Sequence, residues 1–171
     1  MSTEQDISGA LDALVRARPT FWSRSACGVT RSLAPIHAIV DRNAYSPETG
    51  RARVLLIGGL SGRNEDVDVA LHALELYAGG GDALSLRIAL SAVPCANPDG
   101  LRRNAGPENG SGGNPSGLYP PEGNFFFDAN DPEKRYLWRW ICFQAPDLVL
   151  EVQDGASVRW ETNQAARPLA P

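Results

Sequence analysis

Apolar residues recur at Ile7, Leu11, Leu14 and Val15, a helical spacing over residues 7–18 that Pro19 stops. Residues 36–41 alternate instead. Ile36, Ala38 and Val40 point one way and His37, Ile39 and Asp41 the other, which predicts a half-buried strand. Asn43 to Gly50 contains Pro47 and ends in glycine, so it reads as a hairpin loop. Val54-Leu55-Leu56-Ile57 is apolar throughout, as suits a central strand covered on both faces.

Gly58-Gly59-Leu60-Ser61-Gly62 closes that strand, and a helix is predicted from about Glu65 to Tyr77. Its buried stripe is Val67, Ala70, Leu71 and Leu74, with Tyr77 close by. Glu65, Asp66 and Asp68 occupy its first turn, where the helix dipole favours negative charge, and Gly79-Gly80-Gly81 ends it. Leu86 to Val93 is a second apolar strand. Gly106 to Asn124, rich in Gly, Pro, Asn and Ser, reads as one long loop. Asp131-Pro132-Glu133 starts a helix, with Asp as the cap and Pro at the first helical position. That helix runs to about Gln144, burying Tyr136, Leu137, Trp140 and Ile141, and a last strand spans Leu148 to Val152. The succession of strand, helix, strand, loop, helix and strand predicts an α/β fold with a largely parallel core.

Composition narrows the partners. Of 171 residues, 43% are hydrophobic and 21% charged, the balance of a globular domain with a real core. The net charge is −4 with no basic cluster, which argues against nucleic acid. No apolar run approaches membrane-spanning length, and the acidic, polar start Met1 to Asp6 is unlike a secretory signal, so a cytoplasmic protein is expected. Cys27, Cys95 and Cys142 form no Cys-x-x-Cys pair and read as buried free thiols. Asn109-Gly110-Ser111 is a sequon without evident use.

Candidate chemistry gathers where strands end. Gly58–Glu65, Cys95–Gly100 and Gln153–Gly155 each follow the C-terminal end of a predicted strand, the edge at which open α/β sheets bind ligands. Each has a plain structural reading. Gly58-Gly59 with Gly62 lacks both the dinucleotide pattern and a Walker lysine, Asn97-Pro98-Asp99-Gly100 is a favourable β-turn, and Gln153-Asp154-Gly155 is a strand end. His37 and His72 form no metal-ligand motif and read as satisfied or solvated, as do Arg102 and Arg103 in their loop.

Taken in order, these segments resemble the zinc metallocarboxypeptidases of the carboxypeptidase A type. Gly-Gly-Leu-Ser-Gly at 58–62 is similar to the family's Gly-Gly-x-His-Gly-x-Glu segment, and Asn97-Pro98-Asp99-Gly100 matches its next landmark. Asp131-Pro132-Glu133, Trp138-Arg139-Trp140 and Pro146 to Gln153 resemble the helix and strand that follow. The resemblance covers roughly residues 30–155 and implies a three-layer α/β fold of the phosphorylase/hydrolase-like kind, its mostly parallel or mixed sheet flanked by helices. Residues 1–28 are then an N-terminal helical segment, 29–155 the N-terminal part of the α/β domain, and 156–171 a tail.

The same comparison implies a degenerate site. The positions equivalent to the family's three zinc ligands hold Ser61, Asn64 and Gln153, with Glu65 one place from the glutamate position. Neutral amides and a hydroxyl are weak donors to zinc, so no cofactor is expected; zinc belongs to the picture only if the family activity is retained. Gly123-Asn124-Phe125-Phe126 lies where the family carries its substrate-gripping Asn and Arg, and has no arginine. Three readings follow. The first is a non-catalytic domain binding a peptide or small polar ligand in a cleft of Ser61, Asn64, Glu65, Asn97, Asp99, Gln153 and Asp154, walled by the 106–124 loop with Tyr119, Pro120 and Pro121. The second is an active metallocarboxypeptidase or amide hydrolase with an atypical site, in which Glu65, Glu151, Gln153 and Asp154 hold magnesium or calcium. The third is an incomplete product whose strand 148–152 lies at an open edge and drives self-association.

Overall fold

The computed structural model describes residues 3–46, 50–104, 106–116 and 129–153. Helix α1 spans Glu4–Ala17. It begins earlier than the apolar spacing predicts because Thr3 and Asp6 close a capping box over its first turn. Strands β1 (Trp22–Val29), β2 (Pro35–Asp41) and β3 (Ala52–Ile57) follow. Next come α2 (Asn64–Gly79), the short α3 (Gly81–Ser85) and β4 (Ile88–Val93). Helices α4 (Pro98–Arg103) and α5 (Pro132–Gln144) and strand β5 (Leu148–Glu151) complete the order.

One five-stranded sheet runs β1-β2-β4-β3-β5. β3 lies parallel to both β4 and β5, while β2 is antiparallel to β1 and β4, so the sheet is mixed. The predicted hairpin between β2 and β3 does not form: β4 stands between them, because the two apolar strands pair with each other in the interior. Pro47 lies outside the described residues.

Helices cover both faces. Leu11 and Leu14 of α1 and Val67, Ala70 and Leu74 of α2 pack with Ile39, Leu56 and Leu90 on one side. Leu137 and Ile141 of α5 pack with Ile36, Leu55, Ile57 and Val93 on the other. This corrects the half-buried reading of β2. Its second face is covered by α1, and Asp41, predicted to face outward, is fully buried. In α5, Tyr136 and Trp140 are only partly buried, and Glu133 and Gln144 complete the inner stripe. Cys142 projects to solvent, unlike Cys27 and Cys95, since it lies off that stripe.

β1 is absent from the pattern-based reading. Ser23, Arg24 and Ser25 interrupt any alternation, because Arg24 turns toward α1 and binds Asp12 at 3.0 Å. Most of β1 falls within residues 1–28, so that stretch contributes a strand to the main sheet as well as a helix.

Candidate functional site

The parallel pairing of β3 with β4 and β5 brings three strand ends to one edge. Gly58 N–H donates to the Val93 carbonyl (2.9 Å), Ala96 N–H to the Gly58 carbonyl (2.9 Å), and Val152 N–H to the Ile57 carbonyl (2.8 Å). Ser61, Asn97 and Gln153 therefore leave the sheet side by side. The turn after β3 needs glycine at Gly62, which has φ +69° and whose added Cβ would meet the Gly106 carbonyl oxygen at 2.3 Å.

The polar side chains along this edge are engaged with one another. Ser61 donates its hydroxyl to the buried Asp66 carboxylate and accepts Arg63 N–H at 3.2 Å, which ties it to the start of α2. Asn64 is the first residue of α2 and half-buried. Glu65 is exposed, 3.5 Å from Arg63. The Gln153 amide donates to Glu151, so these two share a strand face, in solvent. Asp154, Tyr119, Pro120, Pro121, Gly123 to Phe126 and the 156–171 tail lie outside the described residues.

Asn97-Pro98-Asp99-Gly100 is a helix start rather than a free β-turn. Asn97 caps α4 by accepting Gly100 N–H at 2.9 Å, and Pro98 takes the first helical position. The Asn97 amide also donates to the carbonyls of Leu60 (3.3 Å) and Pro107 (3.1 Å). One buried side chain thus joins the β3 turn, α4 and the following loop. Asp99 is buried, accepting from Arg102 at 2.7 Å and from the Ser32 hydroxyl. Arg103 donates to the carbonyls of Glu108 and Asn109. Both arginines, expected to be merely solvated, hold the segment together.

Sequence reasoning missed a buried network behind this edge. Asn109 is fully buried and folds its loop by accepting Ser111 N–H and Gly113 N–H, each at 2.9 Å. Its amide donates to Glu133 (2.7 Å) and to the Asn130 carbonyl (2.8 Å). Burial, with Asp131 and Asp99 nearby, pushes the Glu133 carboxyl up to about 7. The described part of the long loop, 106–116, is accordingly pinned to the domain. Asn109 and Glu133 are 24 residues apart, and no local motif links them.

A catalytic zinc does not fit these residues. Ser61, Asn64 and Gln153 offer no imidazole, thiolate or carboxylate. The Ser61 hydroxyl and Gln153 amide donate to carboxylates. Among the described residues, no three His, Cys, Asp or Glu side chains are grouped so as to hold a metal ion. His72 is exposed beside Glu75, and His37 is half-buried against α1. The Cys27 and Cys95 thiols, pushed up to about 12 by burial, are inert. No helix among the described residues is long and apolar enough to cross a membrane.

No protein-family model matches the chain, and no curated protein matches it by sequence. Solved structures do. A metallo-carboxypeptidase from Burkholderia cenocepacia superposes with a TM-score of 0.71 at 20% identity over 88% of this chain and 40% of its own. A candidate carboxypeptidase from Burkholderia mallei gives 0.70 at 20% identity, covering 88% and 38%. Thrombin-activatable fibrinolysis inhibitor gives 0.60 at 10% identity, covering 87% and 46%. The chain spans less than half the length of each. Strand order, sheet pairing and these superpositions together establish a carboxypeptidase A-like fold.

Proposed function

We propose that this chain is a non-catalytic, carboxypeptidase-like domain that binds a peptide or small polar ligand at the edge formed by the ends of β3, β4 and β5. One observation carries the reading. At the ligand-equivalent positions the side chains are neutral, and two of them, Ser61 and Gln153, are engaged with neighbouring carboxylates. Among the described residues, such an edge presents hydrogen-bonding groups and a pinned wall, the 106–116 loop, without a cluster of side chains able to hold a water-activating metal ion. Binding rather than hydrolysis is the chemistry left to it.

The test is elemental analysis of protein purified without a metal-binding tag, followed by titration with zinc. No bound metal and no zinc uptake beyond loose surface binding are expected. Near-stoichiometric zinc would overturn the reading. Ligand binding is read separately, by screening peptides for protection of residues 106–116 from protease; no protection by any peptide would remove the binding half of the proposal.

A further inference from the structure

Beyond β4 from Ser61 and Gln153, neither of which lines it, a cavity of about 720 Å³ opens between the first turns of α1, the start of β2 and the β4–α4 connection. Its size falls within the range of small-molecule sites, roughly 300–1,000 Å³. Ile7, Ala34, Cys95 and Leu101 line it with buried apolar surface.

Glu4, His37 and Arg102 line the same space, with Thr3, Gln5 and Ser8 as further polar residues. His37 Nδ1 lies 3.2 Å from Arg24 Nη2. A guanidinium can only donate, so Nδ1 accepts and the ring proton sits on Nε2. Burial and the Arg24 charge hold the imidazole neutral by lowering its pKa. The Nε2–H is 4.0 Å from Glu4 Oε1, beyond hydrogen-bond reach, and Glu4 has no closer partner among the described residues. Arg102 commits Nη2 to Asp99 and Ser32, while its Nε and Nη1 make no bond among the described residues.

A carboxylate without a close partner, a set of unused donors and an apolar lining are complementary to one class of small molecule. We propose that this cavity binds a zwitterion with a short apolar side chain, of the leucine-like α-amino acid class. Its ammonium would meet Glu4, its carboxylate Arg102 and the His37 Nε2–H, and its side chain Ile7, Cys95 and Leu101. A simple apolar ligand would leave Glu4 and Arg102 unused, and a simple anion would face the Glu4 charge.

Calorimetric titration of the full chain tests this with three probes: leucine, leucinamide and 4-methylpentanoate. Leucine is expected to bind, and each analogue, lacking one charged group, to bind about tenfold more weakly. Glu4→Gln is expected to weaken leucine about tenfold and to strengthen 4-methylpentanoate, whose carboxylate then no longer faces the Glu4 charge. Ala34→Leu, which fills the cavity, is expected to abolish binding of all three, with folding verified by circular dichroism and Glu4→Gln as the surface alternative should it misfold. Absence of leucine binding at about 10 mM, equal binding of the three probes, or indifference to Glu4→Gln would each overturn the proposal. None of these results depends on the metal content of the other edge, so this proposal and the proposed function fail separately.

Discussion

Arg51 lies across the fully buried carboxylate of Asp41. Its Nη2 and Nη1 donate to Oδ2 and Oδ1 at 2.8 and 3.2 Å, and Nη2 also donates to the Ile88 carbonyl at 2.6 Å. Removing one partner of such a pair strands a charge in the interior, at a cost of about 3–5 kcal/mol. Arg51→Met is therefore expected to lose that much stability in urea denaturation. Adding Asp41→Asn, which removes the stranded charge, should recover a substantial part of it. Glu133 poses the opposite problem. Its carboxyl is raised in the fold to about 7 from 4.5, so the folded state holds the proton more tightly than the unfolded state. As pH rises between those two values the fold loses stability, on the order of 3 kcal/mol once Glu133 is ionised. Glu133→Gln should abolish this loss while keeping an acceptor for Asn109, so its stability advantage over the native chain should grow from pH 5 to pH 8. His37 acts with the other sign. Its pKa is lowered, so it removes stability as pH falls below its unfolded value of 6.5. Because both proteins contain His37, the difference between the two melting curves isolates Glu133.

At the level of elements, the legible parts of the chain were those whose signals are local. β3 and β4 are apolar runs, and α5 announces itself through Asp131 and Pro132. β1 gave no such signal, since three consecutive polar residues break its alternation and Arg24 among them is held by Asp12 and Ser8 of α1. Asn97 to Gly100 shows why a short motif leaves two outcomes open. A type I turn and the first turn of a helix share backbone geometry and the same Asn and Pro preferences. The helix continues here because Leu101 buries itself in the core, and Asn104 then ends it in the left-handed conformation, φ 49°. The ends of β3, β4 and β5 meet at one edge of the sheet, as the order of strands along the chain predicts, but the Asn109–Glu133 network depends on folding distant segments together and was invisible. Asn97 offers a sharp test of this level. Asn97→Asp keeps the cap on Gly100 N–H but loses the donors to Leu60 and Pro107. It is expected to cost about 1–3 kcal/mol and to speed proteolysis within 106–116, whereas a purely capping residue would tolerate the change.

For the whole molecule, the strand order leaves β1 and β5 as the sheet's outer strands among those described. They are unlike. β1 carries Ser23, Arg24 and Ser25 and a register shift between Ala26 and Gly28, all of which blunt pairing with another sheet. β5 offers Leu148, Val149 and Leu150, partly buried, in regular register with β3 and with no irregularity in its pairing. An apolar edge in regular register is a template for a further strand, and the acidic Glu151 at its end is its one charged residue. The chain is therefore expected to self-associate through β5. Sedimentation velocity over a wide concentration range should show a monomer giving way to a larger species, and amide exchange at residues 148–151 should slow as concentration rises, while exchange in β1 stays unchanged. If the chain sediments as a single monomer throughout, the edge is shielded and β5 plays no part in assembly. If it associates but exchange at 148–151 is insensitive to concentration, the contact lies elsewhere. Exposed apolar side chains such as Leu76, Leu86 and Phe143 then become the surfaces to alter next.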